Sequence, residues 1–283
     1  MRFSFALVAI ITTALSVALM SLNAHGADTA PISGGMFHQG GYIYGKTSPG
    51  AKVNLQGTVL NVGKEGLFFA GLHRHFPKKG LLEITLPDGE TEVHPFKVSK
   101  RDFPIQHIKG VKKKHVSPDP AQVERSRAEA AAIRASRVPF SELKAAFGEF
   151  ELPVKGAPRT GQYGSSRTYN GEERSWHKGM DLAAPTGTPI YAPAEGAVTA
   201  AIEDTFFNGN IMTIDHGYGL FTIYAHMHTM ALKEGDKVSA GDKLGTVGST
   251  GRATGPHLHW GAYWHNVALD PEAFLRHNKE NNN

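Results

Sequence analysis

The chain has 283 residues, with 30 Lys+Arg against 26 Asp+Glu, 15 histidines and no cysteine. That length suits two modest domains, each burying its own apolar surface. The missing cysteine excludes disulfides and lipid attachment at a thiol, and the small charge excess calls for no nucleic-acid partner.

The first element has the build of a secretory signal. Arg2 precedes an apolar stretch over residues 3–20, and small residues follow from Ala24 to Ala27, which predicts a signal peptide over residues 1–26 with cleavage between about residues 24 and 27. About 18 apolar residues only just span a bilayer, and no basic stop-transfer cluster follows. The mature chain is therefore expected to keep no membrane span. Export without disulfides fits a bacterial periplasm or exterior.

Residues 27–108 read as an N-terminal β domain. Short β-rich runs are broken by Pro49-Gly50, Gly63 to Gly66 and Pro87-Asp88-Gly89, and the alternation Leu82-Glu83-Ile84-Thr85-Leu86 predicts a half-buried strand before a turn. These runs suggest a small antiparallel sandwich. His73-Arg74-His75 sits within it at strand spacing, with no third ligand close in sequence, and is read as an exposed pair.

Residues 109–150 read as a basic and then helical linker. Lys109, Lys112, Lys113, Lys114 and His115 form a solvated positive stretch, after which Asp119-Pro120 supplies an N-cap and a first-turn proline. The Ala-rich segment then runs to Arg137, where Val138-Pro139 stops it. Few large apolar residues line it, so a partly exposed connecting helix is expected.

From residue 151 to 275 the texture is β again, over residues 188–191, 197–202, 210–215, 220–226, 243–247 and 257–264, and a polar tail closes the chain over 276–283. The echo of Glu234-Gly235-Asp236-Lys237-Val238 in Ala240-Gly241-Asp242-Lys243-Leu244 is hairpin chemistry. It resembles the turns of lipoyl-type carriers, but no Asp-Lys-Ala or Met-Lys tip is present.

The chemistry-bearing residues lie in this last region. In Thr254-Gly255-Pro256-His257-Leu258-His259-Trp260 the two histidines are two apart, so on a strand both face one groove while Leu258 packs behind them. His177-Lys178-Gly179-Met180-Asp181 adds an imidazole and a carboxylate. Gly179 and Pro185-Thr186-Gly187 disfavour a helix there, so these two are expected from a loop and the strand beside it. A catalytic zinc takes three such ligands and keeps a fourth position for water. His177, Asp181 and one of His257 and His259 would complete that set. No His-Glu-x-x-His occurs, so histidine must replace the glutamate base of helical zinc proteases, and Tyr224-Ala225-His226-Met227-His228 and the unligated partner of the His-x-His pair are candidates.

Four ordered blocks then carry a resemblance. They are His177-Lys178-Gly179-Met180-Asp181-Leu182-Ala183-Ala184-Pro185-Thr186-Gly187-Thr188-Pro189-Ile190, Ile214-Asp215-His216-Gly217, Tyr224-Ala225-His226-Met227, and Gly248-Ser249-Thr250-Gly251-Arg252-Ala253-Thr254-Gly255-Pro256-His257-Leu258-His259-Trp260. Across roughly residues 152–274 the chain resembles the lysostaphin-type or LytM-domain zinc metalloendopeptidases, which cut peptide bridges in bacterial peptidoglycan. The resemblance implies that His177, Asp181 and His259 bind Zn²⁺ and that His226 and His257 flank it as the catalytic pair.

It also implies a mainly β, antiparallel fold with the site on the floor of a groove. The substrate would be peptidoglycan stem peptides, and the N-terminal domain would inhibit, target or recruit a regulatory partner. Either the D-alanyl to diaminopimelate cross-link or a glycine-rich bridge fits as the bond cut. Gly261 departs from the family, many of whose members place Glu after the aromatic, which bears on groove shape. The alternative is a non-catalytic, wall-binding or amidase-activating module of the same fold, which the presence of all three ligands and both histidines disfavours. Asp215, His216 and Asp270 are assigned to loop hydrogen bonding and His228 to the groove rim. Arg167 is open between substrate contact and an ordinary loop, as Tyr163, Trp260 and Tyr263 are between groove wall and core.

Overall fold

The computed structural model describes residues 31–108, 119–169, 172–173 and 176–275. The expected signal segment at 1–26, the basic stretch at 109–118 and the tail at 276–283 lie outside the described residues, as does the side chain of Arg167.

The fold is mainly β and antiparallel, as expected. In the N-terminal region β1 (Ile32–Met36), β2 (Tyr42–Lys46) and β5 (Leu67–Gly71) form one sheet in the order β1-β2-β5. A second has the order β4-β3-β6-β7, from β3 (Lys52–Leu55), β4 (Thr58–Leu60), β6 (Lys79–Thr85) and β7 (Thr91–Lys97). The alternation in β6 works as read: Leu82 and Ile84 are fully buried while Glu83 is exposed. His73 and Arg74 do not continue a strand. Arg74 and His75 occupy a turn, and the backbone N–H of His75 donates to His73 Nδ1 at 3.2 Å.

β8 (Ile105–Ile108) leaves this region and pairs in parallel with β10 (Ser166–Tyr169), which in turn pairs with β11 (Glu172–Glu173). Parallel partners can be far apart in sequence, so no local pattern announces them.

The helix α1 (Pro120–Ala135) forms where its signals place it. Asp119 Oδ1 accepts from the Ala121 N–H at 2.8 Å and Pro120 opens the first turn. Only Ile133 of this helix is buried. It packs with Ile211, Ile223 and Ala225 on one face of the large sheet. Beyond the helix end, the Arg137 guanidinium covers the Tyr263 ring at 4.3 Å and its Nε–H donates to His265 O at 2.9 Å.

The large sheet runs β17-β14-β15-β16-β19-β12-β9. Its members are β9 (Arg159–Gly161), β12 (Met180–Ala183), β14 (Gly196–Thr205), β15 (Gly209–Asp215), β16 (Leu220–Met230), β17 (Lys237–Val238) and β19 (His257–Trp264). β13 (Pro189–Tyr191) pairs with β18 (Lys243–Val247), β18 also pairs with β16, and β20 (Val267–Leu269) pairs with β19. Strand alternation sorts β19 into two faces. Leu258, Trp260 and Ala262 are fully buried in the core, while His257, His259 and Tyr263 share the opposite, partly open face. Trp260 is thereby a core residue rather than a groove wall.

The apolar core runs through both regions as one contiguous cluster, with Phe68, Phe69 and Leu82 at one end and Tyr224, Leu258 and Trp260 at the other. Tyr42 stacks on Phe274 with ring centroids 4.5 Å apart, and Phe147 meets both Tyr44 and Tyr218. Arg101 Nη1 donates to Asp270 Oδ2 at 2.6 Å across the same junction. Among the described residues no helix is long and apolar enough to cross a membrane.

Candidate metal centre

Two neighbouring strands assemble the centre. In the β12 to β19 ladder Asp181 lies opposite His259, and Ala183 opposite His257. A one-residue slip would turn all of these side chains to the wrong face. On the other side, β16 places Ala225 opposite His259. His177 arrives from the loop before β12, as the glycine and proline signals suggested.

Backbone bonds tie that loop on both sides. The His177 N–H donates to Ser165 O at 2.7 Å, and the Gly164 N–H donates to His177 O at 2.9 Å. Two glycines permit the close approach. A Cβ on Gly179 would stand 2.5 Å from Trp260 O and 2.9 Å from the His259 ring, and one on Gly161 would stand 2.3 Å from Asp181 Oδ2.

The result is a tight cluster of three donors. His177 Nε2 lies 3.0 Å from Asp181 Oδ1 and 3.0 Å from His259 Nδ1, and His259 Nδ1 lies 2.9 Å from Asp181 Oδ1. These three residues are the only potential metal-ligand group of this kind among the described residues. All are partly exposed, so a small substrate group can reach them. Two imidazole nitrogens and one carboxylate oxygen converging on a solvent-reachable point fit a divalent metal with an open position.

Outer partners set the tautomers. His177 Nδ1 lies 3.0 Å from Gln162 O, and a carbonyl only accepts, so Nδ1 carries the proton and Nε2 offers its lone pair inward. Burial alone would push the Asp181 carboxyl up, but its close contacts with the His177 and His259 rings hold it well below the usual carboxylate range. It is an anion at any working pH. Burial lowers His259 in turn, against the pull of Asp181, which keeps the imidazole neutral as a ligand must be.

The remaining two histidines stand beside the cluster. The His226 and His257 rings are 4.8 Å apart, and His226 is 6.2 Å from the His259 ring. His257 Nε2 approaches Asp181 Oδ1 to 3.9 Å. Each gives its Nδ1–H to a backbone carbonyl, His226 to Thr250 at 2.9 Å and His257 to Gly255 at 2.8 Å. Both therefore keep Nε2 unprotonated and available. Burial, reinforced by the neighbouring imidazoles, pushes His226 down to about 4.

His226 also adopts φ of 62°, a left-handed conformation that costs a non-glycine residue roughly 1–3 kcal/mol. Its N–H leaves the ladder and donates to Asn208 O at 2.8 Å. The pairing of β15 with β16 shifts register between Asn210 and Met212. This kink was not legible in the alternation of the sequence, which gave only a plain apolar strand. His228, two residues on, is exposed.

The other candidates fall where loop bonding was expected. Asp215 accepts from the Gly217 N–H and from Ser141 Oγ, and Asp270 accepts from the Glu272 N–H. His216 is fully buried between Glu195 O and Thr222 Oγ1, each at 2.7 Å. Tyr163 is buried, and its hydroxyl donates to Ala268 O at 2.9 Å.

Residues 175–271 match the model of peptidase family M23. Over 84 residues the chain is 44% identical to the peptidoglycan DD-endopeptidase ShyC of Vibrio cholerae, a match covering 30% of this chain and 19% of that protein. Over 95 residues it is 43% identical to the DD-carboxypeptidase/endopeptidase Mpg of Neisseria meningitidis, covering 34% of this chain and 22% of that protein. The match thus spans about a fifth of the length of these relatives. A crystal structure described as a peptidase M23 from Pseudomonas aeruginosa superposes with a TM-score of 0.65 at 28% identity, covering 84% of this chain and 95% of that one. A shared region that large extends beyond the matched family segment into the N-terminal strands.

Proposed function

From the premise that this chain carries a peptidase family M23 domain, we propose that it is an exported zinc metalloendopeptidase that hydrolyses stem-peptide cross-links of peptidoglycan. The observation that carries the reading is the convergence of His177, Asp181 and His259 within about 3 Å of one another, beside the His226 and His257 pair. The site falls within residues 151–275, preceded by an N-terminal β domain at 27–108 and a linker at 109–150. The D-alanyl to diaminopimelate bond is the favoured target, because relatives are named DD-endopeptidases. Periplasmic or secreted placement follows from that substrate and from the apolar segment at residues 3–20.

His177, Asp181 and His259 would hold the zinc. Bound there, zinc supplies Lewis acidity, polarising an amide carbonyl and bringing the pKa of water near neutrality. The chain's own residues do the rest. Anionic Asp181 neutralises part of the metal's charge, and Gln162 O keeps His177 in the liganding tautomer. The unprotonated Nε2 of His226 or His257 takes up the proton of the attacking water, and the Nε2–H so formed hydrogen-bonds the developing oxyanion and then passes its proton to the leaving amine.

Purified sacculi of known cross-link type are the test. The chain stripped of metal should release nothing, and stoichiometric zinc should restore release of uncross-linked stem peptides, identified by mass. Zinc uptake without any cleavage would favour a wall-binding module instead.

A further inference from the structure

We propose that Arg74, from the N-terminal β region, is a positioning residue for His177. The inference rests on the reading of His177 as a metal ligand. Arg74 follows β5 and is only 6% exposed. A guanidinium so enclosed is costly to desolvate unless its donors and its flat faces are both occupied. Its Nε–H donates to Gly164 O at 3.0 Å, its Nη1 lies 2.9 Å from His75 Nε2, and its planar group covers the Phe103 ring at 4.7 Å and the Trp176 ring at 5.4 Å.

Two of its three distant contacts flank His177. Trp176 is the residue immediately before it in the chain. Gly164 gives its N–H to His177 O, and the next residue, Ser165, takes the His177 N–H. Two residues before Gly164, the carbonyl of Gln162 fixes the His177 Nδ1 proton. Gly164 itself has φ of 83°, and a Cβ there would stand 2.1 Å from the Phe103 ring, so the loop has no slack on that side.

One guanidinium thus grips both the loop that brackets His177 and the residue that leads into it. Tyr163, which meets Trp176 edge-on at 5.2 Å, completes the packing. A cross-domain arginine serving cohesion alone has no reason to end at this loop. The Lys144 to Glu65 pair, at 2.9 Å, ties the N-terminal β region to the linker on an exposed surface and involves no residue of the His177 loop. It is therefore the matched control.

The test uses the full chain with Arg74→Lys, Arg74→Ala and Glu65→Gln. In the metal-free protein, ¹⁵N NMR of the imidazoles should show His177 as a single Nδ1–H tautomer in the parent and in Glu65→Gln. Both Arg74 variants should show a mixture. Zinc affinity, measured against a chromophoric chelator, should fall about 10–100-fold in the Arg74 variants and stay within twofold in Glu65→Gln. Parental tautomer and affinity in Arg74→Ala would overturn the proposal. If near-UV circular dichroism shows that Arg74→Ala does not fold, Arg74→Lys decides, because it keeps charge and bulk but loses the planar fork. If the parent takes up no zinc, the metal reading fails, and the tautomer measurement still decides the role of Arg74.

Discussion

His73-Arg74-His75 and His257-Leu258-His259 have the same spacing and opposite fates. In β19 the second triplet lies in a regular ladder whose neighbour carries Asp181, directly opposite His259. The first lies at a turn, where the His75 N–H is spent on His73 Nδ1 and the arginine between them turns inward. Spacing within a triplet therefore sets which faces its side chains take, and only pairing across distant strands sets what they meet. A third triplet, His226-Met227-His228, stands between these extremes. A kink at His226 sends one histidine into the site and leaves the other exposed.

Several substitutions sharpen the contrast. The largest effect is expected at the ladder partners. His259→Ala or Asp181→Ala should lose stoichiometric zinc by metal analysis, and with it essentially all cleavage of sacculi. His226→Ala comes next. It should bind zinc as the parent does while turnover falls roughly 10²- to 10⁴-fold, the usual contribution of a positioned acid–base group.

His216 tests a histidine used for folding instead of chemistry. Burial pushes its pKa down to about 4, against a slight raise from Glu195 O. Between pH 4 and about 6.5 the unfolded chain binds a proton that the native site refuses, so stability rises with pH across that window. The contribution is full above about 6.5 and is lost as pH falls toward 4, amounting to roughly 3 kcal/mol. Urea unfolding across that range should show this slope in the parent and a shallower one in His216→Gln. The smallest effect belongs to His73, which is exposed. His73→Ala should leave zinc stoichiometry and cleavage within twofold of the parent, and a larger loss would mean that His73 itself takes part in the site.

Much of the region that holds the candidate metal centre was readable before any coordinates. Strand alternation placed His257 and His259 on one face and Leu258 behind them, and the Asp119-Pro120 start located α1. The resemblance supplied the pairing of His259 with His177 and Asp181, which the ladder register explains. Local sequence carries no record of three further features. The parallel pairing of β8 with β10 joins segments about sixty residues apart. The left-handed backbone of His226 arises from a register shift against β15. The enclosure of Arg74 between two exposed histidines comes only with the fold. Each depends on contacts between segments far apart in the chain, which composition and periodicity do not encode.

The division of labour among the five histidine and aspartate residues is tested most directly by digesting purified sacculi with the parent and with His226→Ala at equal, measured zinc occupancy. The expected result is uncross-linked stem peptides from the parent and a rate lower by at least 10²-fold from the variant. A parental rate from zinc-loaded His226→Ala would contradict the assignment of proton transfer to His226.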